Sequence, residues 1–227
     1  MTDQPLLELV DVGFSHERTR ALGGVSLTVA PGEVVAVTGP SGCGKSTLVM
    51  LAAGVLRADE GQVRIAGQDV GSLDDAARAR LRRRRVGLVL QYGQLVPDLP
   101  VLDNVALPLL LEGVRPATAR ARAAEWLTRV GADLTGEEWP GELSGGQAQQ
   151  AAAARALVAG PSVLLADEPT ASLDARAGSA LLDVLLSSTL EVGGAVVVVS
   201  HDNVVAARAD REVRLRGGRV AHSVQLS

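Results

Sequence analysis

Gly39-Pro40-Ser41-Gly42-Cys43-Gly44-Lys45-Ser46, followed by Thr47, has the spacing G-x-x-x-x-G-K-S. Glycines let successive backbone N–H groups turn inward around an anion. A helix that starts near Lys45 would aim its positive end at the same point. The chemistry suggested is the cradling of a phosphate chain, with Lys45 reaching the terminal phosphates and the Ser46 hydroxyl ligating Mg²⁺. Lys45 is the single Lys among 22 basic residues; the rest are Arg. A composition that uses Arg for generic positive charge keeps Lys where a compact ammonium on a flexible stem is needed. Cys43 reads as a small space-filling residue, since nothing marks a base beside it.

Two further groups could act on a phosphate. The apolar run Val163-Leu164-Leu165-Ala166 ends in Asp167-Glu168. A carboxylate at the end of a buried strand can hold the metal, and the next can polarise an attacking water. Asp167 is assigned to the metal and Glu168 to the general base. The apolar run Val196–Val199 leads through Ser200 to His201, a polar side chain at a second strand end. His16 and His222 lack such a context and read as structural.

These residues need elements to position them. Val34–Thr38 is a continuous apolar run, as expected of a strand buried on both faces. Val86–Gln91, Val163–Ala166 and Ala195–Ser200 read the same way, and Leu6–Val12, Val25–Ala30 and Gln62–Ala66 as further strands. Helices are expected from Lys45 to about Ala53, over Leu73–Arg85 and over Ala175–Leu190, with a closing hairpin across Gly217-Gly218. Strands alternating with helices predict an α/β fold around a mainly parallel sheet. From Val101 to Gly160 the pattern is mostly helical and reads as an insertion.

Leu143-Ser144-Gly145-Gly146-Gln147 completes the set. A Ser hydroxyl and successive Gly N–H groups at a helix start form a second anion site. With the glycine loop, Gln91, Asp167-Glu168 and His201 in this order, the chain closely resembles the ABC ATPase family from about residue 6 to 222. Arg83–Gln91, Leu102–Leu110 and Leu165–Thr170 resemble its lipoprotein-release and macrolide-export group, which includes the cell-division FtsE type.

The resemblance implies a P-loop NTPase (RecA-like) core over about 1–92 and 161–227, with an N-terminal antiparallel β subdomain and an inserted α-helical subdomain over about 93–160. It implies ATP and Mg²⁺ as ligands. Ser46, Gln91 and Asp167 would hold the metal, and Glu168, His201, Lys45 and Gln91 would serve catalysis. Residues 39–47 would bind ATP and Phe14 would stack on adenine. It further implies a head-to-tail pair of copies. Ser144, Gly145, Gly146 and Gln147 would then meet the partner's ATP, and Asp174 of Ser172-Leu173-Asp174 would lie at the seam. Two stretches depart from the family pattern: Ala148-Gln149-Gln150 after the pentapeptide, and Tyr92-Gly93-Gln94 after Gln91.

The composition narrows the function. A net charge of -4 gives no general pull toward nucleic acid or anionic lipid. The basic run Arg78–Arg85 has no interleaved aromatic for base stacking and reads as a solvated helix face. One Cys excludes an internal disulfide and fits a reducing cytoplasm. No export signal is expected at the start of the chain. No run of about 18 apolar residues occurs, so membrane work requires a partner. Leu107–Leu111 could pack on that partner or in the core. The expected function is the ATPase subunit of a separate membrane permease, peripheral on the inner face of the cell membrane. The alternative is a non-transport regulator of a membrane protein. A soluble repair or translation ATPase fits least, because no coiled-coil arms and no second ATPase copy interrupt the chain. An amine-reactive label should modify only Lys45 and the N-terminus, with saturating MgATP protecting Lys45. Labelling indifferent to MgATP would contradict the role given to the loop.

Overall fold

A computed structural model describes residues 4–201 and 203–226. An antiparallel sheet is formed by β1 (Leu7–His16), β2 (Thr19–Val29), β4 (Glu60–Ile65) and β5 (Gln68–Asp69), in the order β2-β1-β4-β5. A second, six-stranded sheet has the order β10-β9-β3-β8-β7-β6. Its strands are β3 (Val34–Thr38), β6 (Val86–Val89), β7 (Val163–Asp167), β8 (Ala195–Val199), β9 (Arg211–Arg216) and β10 (Arg219–Gln225). Every pairing in it is parallel except the closing β9–β10 hairpin. The helices are α1 (Lys45–Ala52), α2 (Asp75–Arg85), α3 (Val101–Leu111), α4 (Pro116–Arg129), α5 (Gly145–Leu157), α6 (Ala175–Leu190) and the single turn α7 (Asn203–Ala206).

The pleat divides the central strands between two cores. Val35, Val37, Val163, Leu165, Val197 and Val199 join one cluster, with Leu48 and Leu51 of α1 and with Leu7, Leu9 and Leu22 of the antiparallel sheet. Val34, Ala36, Leu164, Ala166, Val196 and Val198 join the other, with α5 and α6. Side chains two apart on a strand share a face. Parallel sheets covered on both sides need apolar residues at every position, which is why these strands read as unbroken runs. Leu165 and Asp167 therefore face the same side, toward α1, and that places the acidic strand end against the glycine loop.

The register aligns the strand ends. Val37 of β3 lies opposite Val199 of β8, which lies opposite Asp167 of β7. The residues that leave these three strands, at 38–39, 200–201 and 168, emerge along one carboxyl edge, where open α/β sheets bind ligands.

The helical stretch carries its own supports. Asn104 is fully buried; it accepts from Val96 N (2.7 Å) and donates to Val96 O (2.9 Å) and Leu99 O (2.8 Å), fixing the chain before α3. The basic helix α2 buries only Leu81. Glu112 accepts from Arg83 Nε and Arg84 Nε, each at 2.6 Å, so part of the basic run is paired with the end of α3. Leu107–Leu111 serves both sides: Leu109 is buried, while Leu107, Pro108 and Leu111 line an open groove of about 380 Å³ between α2, α3 and α5.

Candidate active site

The chain leaves β3 at Thr38 and turns through Gly39–Gly44 into α1. Gly44 is the helix N-cap at φ 104, and a Cβ there would stand 2.6 Å from Leu22 Cδ2 and 2.7 Å from Ala21 O. Only Gly fits that approach. Gly44 has no side chain to cap α1, and no acidic residue occupies the first turn. The helix-start N–H groups are left for an external anion. Lys45 Nζ donates to Gly39 O (2.8 Å) and Pro40 O (3.0 Å), so the ammonium is folded over its own loop.

Asp167 is 5% exposed at the end of β7. Burial pushes its carboxyl above the usual aspartate range. The Ser46 hydroxyl beside it works against that shift, the neighbouring Glu168 adds to it, and the Lys45 ammonium opposes it. Glu168 follows with φ 49, a left-handed backbone that a residue with a Cβ rarely adopts. Its N–H donates to Val199 O at 2.9 Å, so the turn is bonded to β8. Its carboxylate lies 2.8 Å from His201 Nδ1 through Oε1, and Ser200 Oγ donates to Oε2 at 3.4 Å.

These groups line one cleft of about 530 Å³, together with Gly39, Ser41, Gly42, Gly44, Thr47 and Gln91. Gly39 and His201, 162 positions apart in sequence, are thereby brought into one site with Gln91 and Asp167. Pro40 and the buried Cys43 belong to the loop without lining the cleft.

Other sequence candidates lie elsewhere. Ser144 caps α5: its Oγ accepts from Gln147 N (3.2 Å) and Gln147 Oε1 accepts from Ser144 N (3.0 Å), a reciprocal capping box. Gly145 and Gly146 pack beside Ser172 and Leu173. Asp174 caps α6, accepting from Arg176 N and Ala177 N at 2.9 Å each. None of Ser144, Gly145, Gly146, Gln147 and Asp174 lines the cleft that holds Lys45.

Phe14 is not among the residues that line the cleft, but its ring adjoins one that does. It is half-buried against the α1-side core, edge-on to the His16 ring at 4.8 Å between centroids. The ring that reaches the cleft is that of His16, whose Nε2 is 3.3 Å from Thr47 Oγ1. The register shifts of β1 between Val12 and Phe14 and between Phe14 and Ser15 turn successive side chains away from simple alternation. Thr19, Arg20 and Ala21 of the following hairpin also line the site. Reading His16 as structural left out a cleft residue, and no period in the sequence marks the bulge that aims it.

The donor set suits Mg²⁺: a buried carboxylate whose ionisation is opposed by burial, a Ser hydroxyl and a Gln amide oxygen, all hard oxygen ligands. Among the described residues no three of His, Cys, Asp and Glu gather into a metal cage.

A glycine loop between a central strand and a helix, beside an acidic neighbouring strand end, defines a phosphate-loop nucleotide hydrolase. The ABC transporter family profile matches residues 22–171, and the chain belongs to that family as one of its ATP-hydrolysing cassettes. It is 40% identical over 222 residues to the lipoprotein-releasing system ATP-binding protein LolD of Roseobacter denitrificans, covering 96% of this chain and 98% of that one. It is 44% identical over 200 residues to LolD of Chromohalobacter salexigens, covering 88% and 84%. The macrolide export ATP-binding/permease protein MacB of Shigella flexneri is 40% identical over 96% of this chain, which spans 34% of that longer protein. The fold superposes on the ATP-binding cassette MJ0796, solved as a dimer in a post-hydrolysis state bound to ADP and Pi. The TM-score is 0.92 at 35% identity, covering 97% of this chain and 99% of that one.

Because burial raises the Asp167 pKa, ionising it costs the nucleotide-free fold. The stability it contributes is complete below the ordinary aspartate range and is lost as pH rises through the raised value. At neutral pH, Asp167→Asn should therefore raise the melting temperature of the nucleotide-free protein while cutting turnover at least about 100-fold through lost metal binding. Calorimetry checks this; a lower melting temperature would contradict it.

Proposed function

We propose that two copies of this chain pair head to tail, each completing the other's ATP site, and drive a separate membrane permease of the lipoprotein-release or macrolide-export kind from the cytoplasmic face. The observation that carries this reading is the separation of two anion-binding helix starts. Lys45 and Asp167 line the cleft, while Ser144 caps α5 outside it. A second copy is the simplest source of a group for each orphan half. The helical stretch over about 93–160 is then a subdomain that carries Ser144 toward the partner's nucleotide.

In this reading the loop N–H groups and Lys45 hold the β- and γ-phosphates, and Lys45 exchanges its bonds to Gly39 O and Pro40 O for phosphate oxygens. Ser46, Asp167 and Gln91 would hold Mg²⁺, which would supply positive charge to offset that of the phosphates. Glu168 accepts a proton from the attacking water. The left-handed turn at Glu168 and the bond to His201 fix the carboxylate's direction, so little reorganisation is needed as charge develops. His201 and Lys45 stabilise the γ-phosphate charge on one side; Ser144 and Gly146 of the other copy do so on the opposite side. The edge-on pair of Phe14 and His16 would supply the aromatic surface for adenine. The apolar groove lined by Leu107, Pro108 and Leu111 receives the permease, and the charge run of α2 flanks it.

Support also comes from the relatives. The LolD proteins match this chain over nearly their full length, and the structural neighbour is a dimer. The described residues include no helix long and apolar enough to cross a membrane.

Glu168→Gln should keep ATP binding, lose at least about 100-fold in kcat, and accumulate an ATP-bound dimer on size-exclusion chromatography. Rapid hydrolysis by that variant would defeat the base assignment, and a monomer at saturating ATP would defeat the pairing.

A further inference from the structure

The segment that follows β6 is held in an uncommon conformation. Tyr92, Gly93 and Gln94 have φ of 64, 71 and 45, three left-handed residues in succession. Two of them carry a Cβ, and such conformations persist only where the surroundings over-determine them. Local bonds supply part of this: Gly93 N donates to Leu90 O (3.2 Å) and Gln94 N to Tyr92 O (2.8 Å). The rest comes from one face of α5. Arg155 Nη2 donates to Gly93 O at 3.0 Å and Nη1 to Gln94 O at 3.1 Å. Gln149 Nε2 donates to Leu90 O at 3.4 Å. Gly93 itself rides on α5, since a Cβ there would stand 2.6 Å from Ala148 O.

Arg155 is an expensive clamp. Burial pulls its pKa down, and none of the ion pairs among the described residues involves it. Two backbone carbonyls answer a guanidinium fork whose shape matches them. The two stretches that depart from the family pattern, Tyr92-Gly93-Gln94 and Ala148-Gln149-Gln150, are the two that meet here. Gln91, immediately before the left-handed turn, lines the cleft with Asp167 and Glu168.

We infer that Arg155 is a positioning residue for ATP hydrolysis: its fork on the carbonyls of Gly93 and Gln94 fixes the left-handed turn and so aims Gln91 into the cleft. The helix that bears the clamp begins at Ser144. A shift of α5 on meeting a second copy's nucleotide is transmitted through two hydrogen bonds to the residue beside the metal position. Arg155 also lines the open groove next to Gln94, so the clamp sits between that groove and the cleft. The inference rests on the proposed role of Gln91 at the metal and the water.

The test compares Arg155→Met, Arg155→Lys, Gly93→Ala, Gln91→Ala and the double variant Arg155→Met/Gln91→Ala. The measurements are steady-state ATPase rate against Mg²⁺ concentration, binding of ATP without turnover, and melting temperature. Arg155→Met should lower kcat about tenfold or more and raise the Mg²⁺ concentration for half-maximal rate several-fold, with ATP affinity within twofold of wild type. Arg155→Lys, which lacks the fork, should recover only part of the loss. Gly93→Ala, which displaces the same turn while keeping the Arg155 side chain, should reproduce the Mg²⁺ shift, and a wild-type melting temperature in Arg155→Lys separates the effect from a folding defect. The double variant should be no slower than Gln91→Ala alone, because both changes remove one function. Losses that multiply, or a wild-type Mg²⁺ dependence in Arg155→Met alongside a defective Gln91→Ala, would overturn the inference. A Gln91→Ala variant with unchanged kcat and Mg²⁺ dependence would instead remove the role of Gln91 on which it rests.

Discussion

The site depends on one buried carboxylate being held where water would not keep it. Asp167 ends a strand that is buried at every position, and the pleat turns it toward α1. Burial resists its charge, while the Ser46 hydroxyl and the Lys45 ammonium favour it. In the proposed function, where a cation would be taken up with the substrate, that tension is useful. An oxygen ligand poorly satisfied in the empty fold gains more from a metal ion than one already hydrated. The register of β3, β8 and β7 then decides everything nearby. It sets the glycine loop, His201 and Glu168 along one edge, and Glu168 reaches that edge only through a left-handed backbone bonded to Val199.

The second organising element is α5. Its first turn is the Ser144 capping box, in which the Ser hydroxyl accepts from Gln147 N. Its flank supports the segment after Gln91 through Gln149 and Arg155. Its Gln150 donates to Gly131 O (3.0 Å) and Val130 O (3.3 Å), satisfying carbonyls at the C-terminal end of α4. A Gln amide thus makes local helix contacts where the family pattern has a longer Arg. One rigid helix touches the proposed seam, the Gln91 segment and the helical stretch, which is the mechanical requirement for passing a nucleotide signal to a partner.

Much of this was legible in the sequence because the decisive features are local. The glycine loop is eight contiguous residues, and its neighbours are apolar runs whose length and position identify buried strands. Asp167-Glu168 and His201 were legible for the same reason: each directly follows such a run. The mixed α/β fold followed from strand and helix alternation, and α6 was read at its observed limits. What could not be read depends on bulges and distant partners. Phe14 and His16 differ by two positions, so simple alternation gives them the same face. The irregular β1–β2 register breaks that equivalence and sends the histidine to the cleft. The clamp of Arg155 on Gly93 and Gln94 joins residues about sixty apart through backbone carbonyls, which carry no sequence signature.

The central claim is that the cleft is half a site, closed by Ser144 of a second copy. Complementation tests it directly. In an E168Q background, Lys45→Ala and Ser144→Arg each disable one half, so neither variant should dimerise with ATP in analytical ultracentrifugation. An equimolar mixture should form a heterodimer holding one ATP between the intact Lys45 of one copy and the intact Ser144 of the other. A mixture that stays monomeric, or a Ser144→Arg variant that dimerises unaided, would contradict the account.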